Sequence, residues 1–68
     1  MKIWKFSSLE VAQEESERVT EEMGLKPPLY AFNVYEDEQN GVHTYSDKLI
    51  DKYINKDLVI EIEIENEL

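Results

Sequence analysis

Carboxylates are the chemistry most plainly written into this chain: sixteen of its 68 residues are Asp or Glu, against seven Lys or Arg. Glu10, Glu14, Glu17 and Glu21 recur at helical spacing, which places them on one stripe of a helix, with Glu15 and Glu22 alongside. Further on, Glu61, Glu63 and Glu65 alternate with Ile60, Ile62 and Ile64. In a strand these carboxylates share one face and the isoleucines the other, with successive same-face groups about 6.6 Å apart from the strand rise. Glu36, Asp37 and Glu38 form a third block. Like charges three or four apart on a helix destabilise it by a few tenths of a kcal/mol, roughly, so helix stability does not ask for this stripe. What such rows can do is face a surface of fixed positive charge.

Other chemistries fit the residues poorly. His43 is the only histidine and Arg18 the only arginine, and cysteine is absent, so no Ser/His/Asp or Cys/His constellation can be drawn. Acid–base hydrolysis by paired carboxylates needs a cleft that raises one pKa by burial, and a chain of this length can hardly build one. The expectation is a protein that is not an enzyme. Glu36, Glu38, Asn40 and Gly41 echo positions 1, 3, 5 and 6 of a calcium loop, with Asp47 at position 12. The bidentate Glu is missing and the flanks read as strands, so an acidic hairpin tip without metal or cofactor is expected.

The totals narrow the class further. A formal charge of −9 repels nucleic acid and anionic lipid and attracts basic surfaces. Trp4, Phe6 and Tyr45 are suitable for stacking bases on a sheet, but the cationic surface that supplies most nucleic-acid affinity is lacking, so packing is their expected use. Absence of cysteine fits a reducing cytoplasm. Met1 to Phe6 runs into Ser7 and Ser8, far short of the roughly 20 apolar residues of a membrane span, so no targeting or membrane segment is expected. Residues 1–68 read as one domain.

These charges have to be positioned by short elements. Met1 to Phe6 predicts a first strand. Ser7 and Ser8 offer an N-cap, with Glu10 in the capping-box position, for a helix running to about Met23 and ended by Gly24. Leu9, Ala12, Ser16, Val19 and Met23 form its core-facing stripe. After Pro27-Pro28, Leu29 to Tyr35 predicts a second strand. Asn40-Gly41 predicts a type I′ hairpin pairing Glu36 to Gln39 with Val42 to Tyr45. Ser46 would cap a shorter second helix carrying Leu49, Ile50, Tyr53 and Ile54, closed by Asn55. Leu58 to Glu65 alternates as a half-buried last strand. The order predicts an α+β fold of the split-βαβ, ferredoxin-like kind: a four-stranded antiparallel sheet with two helices on one face, or, with the second helix lost, a sheet with one.

In size, charge and pattern the chain resembles the small acidic DNA-mimic proteins that bacteriophages direct against host DNA-binding proteins. That resemblance implies an inhibitor occupying the DNA-binding surface of a basic protein, such as the nucleoid protein HU, a restriction enzyme or a CRISPR effector. Glu10, Glu14, Glu17, Glu21, Glu36, Asp37, Glu38, Glu61, Glu63 and Glu65 would then stand in for phosphates. The alternative is an adaptor module that uses exposed aromatics and a sheet edge, with acidity serving solubility. An exposed edge and the aromatics Trp4, Tyr30, Tyr35 and Tyr45 also leave room for a homodimer.

Charge alone generates one prediction. Mixed with duplex DNA or RNA at micromolar concentration and physiological salt, the protein should leave the mobility of the nucleic acid unchanged. A gel shift under those conditions would contradict the sign of the field.

Overall fold

A computed structural model of the chain describes residues 1–64. Strand β1 (Lys2–Phe6) leads into helix α1 (Leu9–Glu22), followed by β2 (Tyr35–Asp37), β3 (Gly41–Ser46) and β4 (Val59–Ile64). The four strands form one antiparallel sheet in the order β2-β3-β1-β4. The chain therefore leaves β1 through α1 and returns in β2 one strand removed, with β3 inserted between them. The architecture is α+β, with a single α-helix among the described residues. None of their helices is long and apolar enough to cross a membrane.

Helix α1 begins and ends as its sequence dictates. The Ser8 hydroxyl accepts the Val11 N–H at 3.2 Å, satisfying one of the donors that a helix start leaves open. At the far end Gly24 lies in the left-handed region at φ 74°. The Leu25 N–H bonds the Thr20 carbonyl and the Gly24 N–H bonds that of Glu21, both at 3.0 Å, which is the Schellman pattern. Ala12, Ser16 and Val19 are buried as the stripe requires, whereas Leu9 is exposed and Met23 only half-buried.

Two expected elements are replaced. Leu29 to Val34 is not a strand, and only Tyr35–Asp37 pairs with β3. The backbone of the irregular stretch is satisfied by hydroxyls: Ser16 Oγ donates to the Phe32 carbonyl at 2.7 Å, the Ala31 N–H donates to Thr20 Oγ1 at 2.8 Å, and Thr44 Oγ1 donates to the Asn33 carbonyl at 2.6 Å. These groups tie the segment to α1 and β3, so a ladder partner is not needed. The Pro27-Pro28 bond that precedes it is cis.

In place of the second helix stand two 3₁₀ turns, Ile50–Lys52 and Lys56–Leu58. Asp47, not Ser46, starts the first, its Oδ1 accepting the N–H groups of Leu49 and Ile50 at 2.9 and 3.1 Å. Asn55 is extended and opens the second turn. A helix nucleus is unfavourable over so few residues, and short 3₁₀ pieces are what remains when Ile50 and Ile54 are drawn into the core. The hairpin differs in detail as well. Asp37 pairs with Gly41, the turn spans Glu38 to Asn40, and only Gly41, at φ 63°, has positive φ, so the type I′ expectation does not hold.

The core lies between α1 and one face of the sheet: Trp4, Phe6 and Val42 from the strands, Ala12 and Val19 from the helix, Phe32, Ile50 and Ile54 from the connections. Trp4 and Phe6 are thus interior packing residues and offer no stacking platform. Tyr45 instead stands on the opposite face with Tyr35 and His43, their ring centroids 5.5 to 5.8 Å apart.

The role of Gly24 can be tested by substitution. An added Cβ would meet nothing within 4 Å, so Gly24→Ala should be destabilising only through the left-handed backbone, by about 1–2 kcal/mol. In urea the midpoint should fall with an unchanged slope, and Gly24→Asn should recover part of the loss.

Candidate functional site

On α1 the buried residues Ala12, Glu15, Ser16, Val19 and Thr20 define the inward side. At about 100° per residue, Glu10, Glu14, Glu17 and Glu21 are centred directly opposite them, and all four are exposed. The row therefore points straight away from the sheet. No salt bridge among the described residues involves any of the four. Rises of about 6 Å and 4.5 Å along the axis separate successive members. Beside the row, a groove of about 430 Å³ runs between the end of α1 and the following loop. Glu17 and Glu21 line it from the helix, and Leu25, Lys26, Pro27 and Tyr30 from the loop.

The strand carboxylates are differently placed. Register and alternation put Glu61 and Glu63 on the sheet face away from α1, across from Lys5 and Ile3. Lys5 Nζ lies 2.9 Å from Glu61 and 3.1 Å from Glu63. Hydrogen bonds to these two carboxylates hold the Lys5 ammonium above its ordinary range. The two rows consequently occupy opposite sides of the molecule, and one of them is partly neutralised within the fold. Glu65 lies outside the described residues.

Glu36, Asp37 and Glu38 sit exposed at the β2 edge and its turn. Asp37 Oδ1 accepts the Asn40 N–H at 2.7 Å and so shapes that turn, while its other oxygen is 3.8 Å from His43 Nε2. Asp47, the far end of the calcium-loop echo, is likewise occupied by backbone N–H groups. Among the described residues no group of three or more His, Asp or Glu could hold a metal ion.

Sequence reasoning set Glu15 beside the outer stripe, and the structure puts it inside, at 2% exposure. Arg18 grips its carboxylate through Nε at 2.8 Å and Nη2 at 2.7 Å. The same Nη2 reaches the Tyr53 carbonyl at 2.7 Å, and the Asn55 N–H donates to Glu15 at 2.6 Å. Arg18 also pairs with Glu22. Burial pushes the Glu15 carboxyl up, but the Arg18 guanidinium and the Asn55 N–H outweigh it and leave the group below the usual carboxylate range. Arg18 is raised in turn, chiefly by its bond to Glu15. The signal that could have found this pair was in the sequence: Glu15 falls beside Ser16 and Val19 on the inward side of the helix, and the chain's one arginine follows three residues later.

Compared with protein-family models, curated proteins and solved structures, the chain matches none.

The Glu15 clasp makes stability depend on pH. Its folded-state pKa lies below the unfolded value of about 4.3, so its contribution is present above that pH and lost as pH falls through the folded value. Thermal unfolding followed by circular dichroism should show Glu15→Gln less stable at pH 7 by about 1–3 kcal/mol, with a shallower decline toward pH 3 than the parent. Parallel pH profiles would contradict the assignment.

Proposed function

We propose that the protein is a non-catalytic, cytoplasmic binding protein whose outward row on α1, Glu10, Glu14, Glu17 and Glu21, imitates a run of phosphates and occupies the DNA-binding surface of a basic protein. The observation that carries this reading is that four carboxylates lie opposite the buried side of the helix and none is spent on an ion pair among the described residues. Their intervals of about 4.5 to 6 Å are of the order of the separation between neighbouring phosphates. The groove beside Glu17 and Glu21 adds an apolar wall, Tyr30 and Leu25, against which the stem of a partner's arginine or lysine can lie. Glu36, Asp37 and Glu38 extend the negative field at the β2 edge. Glu61 and Glu63, held by Lys5, contribute less charge than their number suggests.

Nucleoid proteins such as HU, restriction enzymes and CRISPR effectors present the kind of surface this row would fit. A second reading, an adaptor that works through a sheet edge, is favoured by one observation: the isoleucines of the outer strand β4 are exposed. A homodimer through the same edge belongs to that reading.

Purified HU serves as the probe. The triple variant Glu14→Gln, Glu17→Gln, Glu21→Gln should fold with unchanged or slightly raised stability, because it removes like-charge repulsion. Its association rate with HU should fall by roughly tenfold at low salt, with the difference shrinking as salt rises, and duplex DNA should compete with the parent protein. Unchanged rates together with no competition from DNA, in HU and in a panel of restriction enzymes, would leave the row as a solubility device.

A further inference from the structure

We propose that the outer edge of β4 is a docking site for an extended polypeptide segment in which basic residues alternate with apolar ones, added to the sheet as a fifth strand. The site rests on the edge and not on the α1 row.

Among the described residues strand β4 has a partner on one side only: β1 pairs with it between residues 59 and 64, and it ends the sheet order. In an antiparallel pair alternate residues turn their N–H and C=O away from the partner, so the outer side of β4 presents a run of backbone donors and acceptors. Natural edges are usually blunted by charged side chains, above all lysine, by proline or by a bulge. Val59 to Ile64 has neither lysine nor proline; its only charges are Glu61 and Glu63, which repel acidic segments and not basic ones, and its one register irregularity lies at the start, opposite Lys5 and Phe6.

The two faces of the strand then state what kind of segment fits. On the α1 side stand Ile62, opposite Trp4, and Ile64, opposite Lys2, exposed by 46% and 67%, with Ile60, 66% exposed, beside them at the register irregularity. An incoming strand with apolar residues on that side would cover them. On the other side Glu61 and Glu63 share a single ammonium, that of Lys5, so two carboxylates keep an excess of negative charge at the edge. Opposite-charge neighbours across a strand pair stabilise it and like charges oppose it, which selects lysine or arginine at the alternate positions.

A second copy is the poorer occupant. The antiparallel self-pairing that overlaps the strands most fully, Ile62 opposite Ile62, sets Glu61 against Glu63 of the other copy, in a chain already at −9.

The test uses the full chain, isotopically labelled for NMR, and a synthetic hexapeptide of alternating lysine and valine. Amide exchange should slow at Val59 to Ile64, and shifts should concentrate there. The same peptide methylated at every backbone nitrogen keeps its charges and should bind at least about tenfold more weakly, as should the parent peptide to Glu61→Gln, Glu63→Gln. The α1 triple Gln variant should bind it like the parent protein, which separates this site from the proposed phosphate mimicry. Three results would overturn the inference: perturbation mapping to α1, equal affinity for the methylated peptide, or sedimentation showing a concentration-dependent dimer that itself protects β4.

Discussion

The fold depends on one ion pair whose carboxylate, Glu15, is buried and whose arginine, Arg18, lies at the surface. Between β3 and β4 the chain must return along the sheet with only 3₁₀ turns to stiffen it, and such turns carry little stability of their own. What fixes them is Glu15 and Arg18 on α1, whose charged groups take the Asn55 N–H and the Tyr53 carbonyl. The two contacts hold the connection against the helix, so Ile50 and Ile54 are pressed into the core beside Trp4. A charge pair with satisfied hydrogen bonds survives burial where a lone carboxylate would not. Each partner is satisfied by the other and by backbone.

Loss of the second helix has a consequence on the far side of the sheet's midline. In a sheet with two helices, the half formed by β1 and β4 would be covered like the half under α1. Here the connection sends only Ile50 and Ile54 into the core with Trp4, and Ile60, Ile62 and Ile64 of β4 are left in solvent. Alternation of Ile with Glu was expected to mean a half-buried strand. It means instead an edge strand with an apolar and an acidic face, both accessible.

How far the sequence spoke for itself varied with the locality of the signal. Ser8, Gly24 and the spacing of Ala12, Ser16 and Val19 act within a few residues, and α1 forms where they indicate. Strands β1, β3 and β4 and the antiparallel hairpin follow from local alternation and Asn40-Gly41, whereas β2 is Tyr35–Asp37 and not the expected Leu29 to Tyr35. Long-range competition decided the rest. Leu29 to Val34 has strand-like residues, yet hydroxyls of Ser16, Thr20 and Thr44, 11 to 16 positions away, hold it as an irregular segment. Glu15 and Asn55, 40 positions apart, were readable singly but not as partners. The exposure of the α1 row was legible because it needed only helical period; the neutralisation of Glu61 and Glu63 was not, because it depends on the register that brings Lys5 between them.

That difference bears on how an acidic chain divides its charge. Its single arginine faces the helix flank, where it is committed to Glu15, Glu22 and the Tyr53 carbonyl. Lys5 is committed to the strand carboxylates. These two cations are placed where carboxylates would otherwise strain the fold, at a buried site and along a sheet edge, and neither is paired with the carboxylates that crowd one another on the outer side of α1. Repulsion there amounts to a few tenths of a kcal/mol per pair, roughly, which a capped helix with a packed inner side tolerates. Fold stability accounts for the placement of Arg18 and Lys5, but not for the α1 row, which has no ion pair among the described residues and on which the proposed binding rests.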